Sequence, residues 1–282
     1  MQLLNQILRG VVIGVANIIP GVSGGTMMVS MGIYDTLIHC ITHLFSEFKK
    51  SVKTLLPYGI GMVVGIVALA SLLDYLFAHY ALPTSTTFIG LILGGLPTIL
   101  KQIKGEKTGP VGAVLFVIFF AIVVLLQIFQ KENAAVIQLS FFEVIKLFLL
   151  GCIASATMVI PGVSGSMILK LLGYYEPIVT EALPAAISAL TSGEFAALLN
   201  NVGILLPFGV GIVVGIFAIA KLIEVLMARW KGLTYMAIIG MVVASPVAIL
   251  LGADFTGFSF GIMLASVVTF AAGYFVAWKL SD

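Results

Sequence analysis

The sequence predicts an all-α polytopic membrane protein arranged as an inverted-topology repeat. Six transmembrane helices and two re-entrant helical hairpins are expected, with ten crossings as the alternative count. Three observations predict this. Of 282 residues, 61% are hydrophobic and 9% charged, against roughly 25% charged in soluble domains, and mean hydropathy is +1.20. Apolar stretches recur along the chain, each near the roughly 20 residues that cross a hydrocarbon core. One pattern also occurs twice, as Ile19-Pro20-Gly21-Val22-Ser23-Gly24-Gly25 and as Ile160-Pro161-Gly162-Val163-Ser164-Gly165-Ser166. The apolar runs are continuous rather than alternating, which argues against a β-barrel.

The two copies stand 141 residues apart, and Gly32, Tyr34 and Asp35 match Gly173, Tyr175 and Glu176 at the same offset. A second match, at an offset of 150, aligns Leu55–Ile66 with Leu205–Ile216 and Asp74 with Glu224. The repeat boundaries are therefore 1–138 and 139–282, two halves of one integral membrane domain. In each half an apolar arm runs into the Pro-Gly loop (Leu3–Ile19; Phe141–Ile160) and a second arm leaves it (Thr26–Phe45; Met167–Leu190). Three long helices follow: 55–77, 85–100 and 111–129, then 202–227, 234–251 and 258–278. Pro removes a donor and Gly frees the backbone, and such irregular chain is tolerated at membrane depth only where protein buries it or it lines a cavity.

Loop charge orients these segments, because cytoplasmic loops carry the Lys and Arg excess. Lys49, Lys50 and Lys53 follow the first arm pair, the loop near His79 has no Lys or Arg, and Lys101, Lys104 and Lys107 mark the next. The joining loop has only Lys131 beside Glu132; Arg229 and Lys231 mark a later rich loop, Asp254 a poor one, and Lys279 the C-terminal end. Rich and poor loops alternate if each arm pair returns to its own side. Each half then has an odd number of crossings, the halves are inverted, and both termini are cytoplasmic. Charge parity does not distinguish re-entrant hairpins from full crossings. Met1 to Leu8 lacks a basic leader, so no cleaved signal peptide is expected.

Ser23 and Ser164 are suited to N-cap the outgoing arms, and a helix start offers free N–H donors to an anion. The candidate phosphate-binding set is Arg9, Asn17, Gly21, Val22, Ser23, Gly24, Gly25, Thr26, Gly162, Val163, Ser164, Gly165, Ser166 and Lys170. Asn17 and Thr26 either meet a guest or satisfy freed backbone; their counterparts are Met158 and Met167. Lys170 is costly at depth and either serves the cavity or pairs with Glu176. Arg9 either contacts an entering anion or snorkels to the interface. Asp35 and Glu176 are candidates for proton or cation coupling, while Asp74 and Glu224 read as interfacial carboxylates. His39 and His43 have metal-compatible spacing, but no acidic or cysteine partner stands at a matching position, so an interfacial surface and no metal site are expected. Cys40 and Cys152 read as small core residues. The small-xxx-small pairs Gly10/Gly14, Gly61/Gly65, Gly90/Gly94 and Gly211/Gly215 read as helix packing. No Walker loop, paired-carboxylate signature or nucleophile–base arrangement occurs, so neither ATP hydrolysis nor a cofactor is expected. The net charge of +2 does not point to nucleic acid.

The run Arg9-Gly10, Gly14-Val15-Ala16-Asn17-Ile18-Ile19-Pro20-Gly21-Val22-Ser23-Gly24-Gly25-Thr26 and Gly32-Ile33-Tyr34 resembles the signature of a bacterial membrane family that includes the PopT-type undecaprenyl-phosphate translocases. The second Pro-Gly copy fits it as well. The resemblance implies a protein of the bacterial cytoplasmic membrane that returns undecaprenyl phosphate from the outer to the inner leaflet, recycling the carrier of cell-wall precursors. The lipid would be its partner, with proton or sodium as the expected coupling ion. A transporter or channel for a small soluble anion is the alternative. An enzyme acting on the lipid phosphate lacks the His/Arg/Asp set its chemistry would need.

Overall fold

A computed structural model of the chain describes residues 2–18, 23–129, 135–253, 255 and 258–281. Gly21 and Val22 of the first tip lie outside the described residues, as do Lys131, Glu132 and Asp254. The described residues are almost entirely helical, with no strand among them.

The first half contains α1 (Gln2–Ile18), α2 (Gly24–Ser30), α3 (Tyr34–Thr42), α4 (Phe48–Gln102) and α5 (Gly109–Ile128). The second contains α6 (Phe141–Val159), α7 (Gly165–Leu171), a π-helical turn (Glu176–Ala182), α8 (Leu183–Ser192), α9 (Phe195–Leu251) and α10 (Phe260–Ser281). The entering arms α1 and α6 end within one residue of their expected bounds. α6 starts on a cap: Glu143 N–H donates to Ser140 Oγ at 3.2 Å, as Ser-x-x-Glu spacing favours.

The outgoing arms are not the continuous helices expected over Thr26–Phe45 and Met167–Leu190. Each breaks after seven helical residues, at Gly32 (φ 67°) and Gly173 (φ 79°). The hydrogen bonds are the same at both breaks. Ile33 N–H donates to Met28 O at 3.0 Å and Tyr174 N–H to Leu169 O at 2.8 Å, while Gly32 N–H donates to Val29 O and Gly173 N–H to Lys170 O. This is the glycine helix stop, in which only Gly takes the left-handed conformation without a Cβ penalty. Gly32 and Gly173, legible as equivalents in the repeat, therefore divide each outgoing arm in two.

The expected pairs 55–77 with 85–100 and 202–227 with 234–251 are continuous helical stretches with one break each. The break in α4 is Tyr80 (φ −138°, ψ 46°), and in α9 it is Trp230 (φ −138°, ψ 53°). They are repeat equivalents, and each carbonyl is capped by an equivalent hydroxyl: Thr84 Oγ1 donates to Tyr80 O at 2.7 Å and Thr234 Oγ1 to Trp230 O at 2.9 Å.

Six helices among the described residues are long and apolar enough to cross a membrane: Phe48–Leu69, Tyr75–Gln102, Gly109–Ile128, Phe141–Val159, Phe195–Leu251 and Phe260–Leu280. The number matches the expectation, but the membership differs. The long α9 counts once although it carries two expected segments, and α6, a hairpin arm, is long enough to span. Large apolar side chains such as Val114, Val117 and Ile118 on α5 and Leu264, Val267 and Val268 on α10 point outward, as lipid contact requires.

Packing repeats between the halves. α1 packs on α4 and α6 on α9, whereas α10 of the second half packs on α4 and α5 of the first packs on α9. Small residues allow the close approach. A Cβ on Gly61 would strike Ile7 O and stand 2.9 Å from Gly10 Cα, and one on Gly211 would strike Phe148 O. The swapped third helices interlock the halves. Both halves also contribute to one core, with Ala16, Met27 and Ile92 from the first and Val159, Met167 and Val242 from the second.

Candidate functional site

The residues that follow the first tip, Ser23 to Thr26, meet the second tip. Ser23 stands in extended backbone just before α2, and Ser164 likewise before α7, as N-cap residues should, yet neither hydroxyl caps its helix. Ser23 Oγ donates across to Thr157 O and Ile160 O, both at 3.4 Å. Ser164 Oγ pairs with Ser166 Oγ at 2.8 Å. Asn17 Oδ1 accepts from Gly24 N–H at 3.2 Å, so of its two expected uses the backbone one is realised.

Thr26 is wholly buried, and its Oγ1 accepts from Gly162 N–H at 2.7 Å. Tyr34, also buried, donates its hydroxyl to Val159 O at 3.1 Å. The polar groups of the first hairpin thus satisfy the backbone that the second tip frees. The approach is close enough to need glycine: a Cβ on Gly25 would lie 3.0 Å from Val159 O and 3.2 Å from Pro161 N.

Beside this junction lies a cavity of about 310 Å³, lined by Asn17 and Ser23 from the first hairpin and by Val163, Ser164, Gly165 and Ser166 from the second tip. Tyr175 adds a hydroxyl, Thr157 lines the wall with its own hydroxyl donated to Ala154 O at 2.6 Å, and apolar side chains such as Leu169, Phe208 and Ile212 complete it. The volume falls at the lower end of the roughly 300–1,000 Å³ range of small-ligand pockets. Because Ser164 and Ser166 leave the first-turn N–H groups of α7 uncapped, those donors remain available to a guest. With only seven residues, α7 adds little macrodipole, so hydroxyls and N–H donors dominate. Met158, 43% exposed, also lines the cavity. Met158 thus gives the cavity an apolar, exposed rim residue.

The charged candidates lie outside the wall. Lys170 Nζ stands 5.3 Å from the ring centroid of Tyr175, one side chain removed from the cavity. Arg9 is well back along α1 and donates to Leu280 O near the end of α10. Neither Gly24, Gly25 nor Thr26 lines the cavity. Asp35 is exposed and accepts from Tyr235 Oη at 2.6 Å, beside a separate space of about 240 Å³ that Thr98 and Gln102 also line. Glu176 is exposed at the start of the π-helical turn. Among described residues, no ion pair joins it to Lys170.

Sequence reasoning missed Thr157, which no motif marks, and the pairing of Asp35 with Tyr235. It also missed the acidic partner of the histidine pair: Glu224 Oε1 stands 3.5 Å from His39 Nδ1 and 3.2 Å from His43 Nδ1. Cys40 is buried and Cys152 half-buried, and both are free.

The fold is that of a multi-pass α-helical membrane protein. The chain belongs to the undecaprenyl phosphate translocase-like family, whose model matches residues 13–256. A polyprenyl-phosphate transporter of Staphylococcus aureus is 34% identical over 98% of this chain and 95% of its own length. A polyprenyl-phosphate transporter of Vibrio cholerae is 28% identical over 87% of this chain and 77% of its own. No solved structure matches the chain.

Proposed function

We propose that this protein is a lipid-carrier translocase of the bacterial cytoplasmic membrane. In this reading it moves undecaprenyl phosphate from the outer to the inner leaflet without hydrolysing ATP. The observation that carries the reading is the cavity at the junction of the two tips, hydroxyl-lined inside and apolar at its rim. A phosphomonoester head needs donors at mid-depth while its prenyl tail stays in lipid, and a lateral mouth beside Met158 meets both needs. The names of the relatives support the substrate class.

In this scheme the halves are inverted and both termini are cytoplasmic, as loop charge favours, and the hairpins are re-entrant, as a Pro-Gly break tolerated at depth only where protein buries it suggests. Ser164, Ser166 and the α7 N–H groups hold the phosphate, and Lys170 supplies charge by swinging past Tyr175. Asp35 is the better placed of the two coupling carboxylates, since its Tyr235 partner lies on α9 of the other half. Arg9 serves as a brace on α10 rather than as a phosphate ligand.

Reconstitution in liposomes with undecaprenyl phosphate tests this by following the lipid's leaflet accessibility. The wild type should accelerate exchange. Hydrogen bonds to a charged group are worth about 1.5–3 kcal/mol each, so Ser164→Ala with Ser166→Ala should weaken lipid binding by tenfold or more. Lys170→Met should slow exchange without altering folding. Wild-type rates in both variants would remove the site. Uptake of inorganic phosphate without lipid exchange would favour the soluble-anion reading instead.

A further inference from the structure

We propose that His39, His43 and Glu224 form a binding site for a zinc-class dication that ties α3 of the first half to α9 of the second. The site is separate from the tip cavity, and the proposal does not depend on the transport reading. One ligand atom from each of the three residues lies within 4.8 Å of the others. The two imidazoles stack with centroids 4.1 Å apart, which directs both Nδ1 atoms at the same carboxylate oxygen, Glu224 Oε1, at 3.5 and 3.2 Å. Tetrahedral zinc with bonds of about 2.0–2.1 Å sets its ligand atoms roughly 3.3 Å apart. The two measured separations bracket that value.

The surroundings suit a metal site. Lys221 Nζ binds Glu224 Oε2 at 2.6 Å and leaves Oε1 to the histidines. Thr42 Oγ1 reaches that Oε1 at 3.0 Å, with His39 O and Ile38 O as the other acceptors for its proton at 3.0 and 3.1 Å. On the far side of His39, Nε2 faces Glu47 Oε1 at 3.9 Å, while Glu47 Oε2 is held by Lys50 at 2.7 Å. The gap from Nε2 to Glu47 is about 1 Å longer than a hydrogen bond, and closing it would give the outer-shell carboxylate that a ligating imidazole usually has. His43 Nδ1 also lies 3.0 Å from Thr42 Oγ1 and 3.1 Å from His39 O. The ring exchanges these partners for a cation when its proton sits on Nε2. Two imidazoles and one carboxylate select zinc, cobalt, nickel or copper over magnesium or calcium. The side chains are 46%, 31% and 21% exposed, so an ion can enter, and water completes the coordination.

The expected result is one metal per chain for protein purified without a histidine tag. Zn²⁺ binding is read by titration calorimetry and Co²⁺ by its tetrahedral visible absorption. His43→Ala and the isosteric Glu224→Gln should each weaken Zn²⁺ by more than the roughly 10–100-fold of a lost outer-shell partner. Thr42→Val should fall within that outer-shell range. The two ligand variants lie on separate elements, so poor folding of one leaves the other decisive. Absence of Zn²⁺ binding at micromolar concentration, or equal binding by wild type and both variants, overturns the proposal. Neither readout involves lipid movement, so failure here and failure of the translocase reading are distinguishable.

Discussion

Replacing Thr26 by Val isolates the bond that joins the hairpins. Val keeps the volume and branching of Thr, and the site is wholly buried, so packing is conserved while the acceptor for Gly162 N–H is lost. The bond is 2.7 Å long, and the donor sits at the tip, where Pro161 and the left-handed Gly162 (φ 85°) prevent helical pairing. A buried donor left without a partner costs about 1–3 kcal/mol. Bonds between helices in membranes average nearer 0.6 kcal/mol, with a maximum near 1.7. The second tip has little freedom to find a substitute, so a value of about 1.5 kcal/mol is expected. At roughly 2–4 °C per kcal/mol for a chain above 150 residues, the shift in Tm in detergent should be on the order of 5 °C. Thr26→Ser restores the acceptor but loses a methyl group worth about 0.8 kcal/mol, and so should fall between Val and wild type. If Thr26→Val unfolds at the wild-type temperature, or Ser is the less stable of the two, the tips are not held together by this bond.

Two further outcomes follow from the same geometry. Gly61→Leu should displace α1 from α4 and reduce the yield of monodisperse protein, an overpacking cost of about 3 kcal/mol or more; Gly59→Leu, whose Cβ would have nothing within 4 Å, should purify as wild type does. Tyr235→Phe removes the 2.6 Å bond to Asp35, yet Asp35 stays in contact with solvent, so Tm should change little. If Asp35 couples transport, lipid exchange in Tyr235→Phe liposomes should respond to an imposed pH gradient differently from wild type, and Asp35→Asn should abolish the response while leaving gradient-free exchange.

The sequence made local features legible and left the docking of the halves largely hidden. Apolar length and loop punctuation located α1, α6, α5 and α10 to within a few residues, because each is bounded by Gly, Pro or a cap. The matched offsets also marked the neighbourhoods of Tyr80 and Trp230 as connections, though not that helix resumes at once beyond them. The glycines at 32 and 173 were recognised as equivalent, but a lone Gly in an apolar run is also compatible with an unbroken helix. Only the six-to-one hydrogen bonds after them show a stop. The candidate site was visible in its serines because they belong to a repeated motif. Thr157, Tyr235 and Glu224 were not, since each acts on a residue more than a hundred positions away and no periodicity encodes that pairing.

The two tips share a motif but not a task. Ser23, Thr26 and Tyr34 of the first hairpin are committed to carbonyls and an N–H of the second, whereas Ser164 and Ser166 bond to each other on the cavity wall. A simple exchange of roles between the halves would need the second hairpin to brace the first in the same way. Met167 stands where Thr26 does and offers no hydroxyl to accept from the first tip, and Gly25 stands where Ser166 does and offers none to a guest. The state in which the first tip receives and the second braces therefore lacks at least two of the hydrogen bonds seen here. At about 1 kcal/mol net for each such bond, the two arrangements differ by roughly 2 kcal/mol before any ligand binds. In the proposed scheme a cycle that visits both would draw that difference from binding of the lipid head at Ser164 and Ser166, or from a coupling ion at Asp35, whose bond to Tyr235 joins the halves.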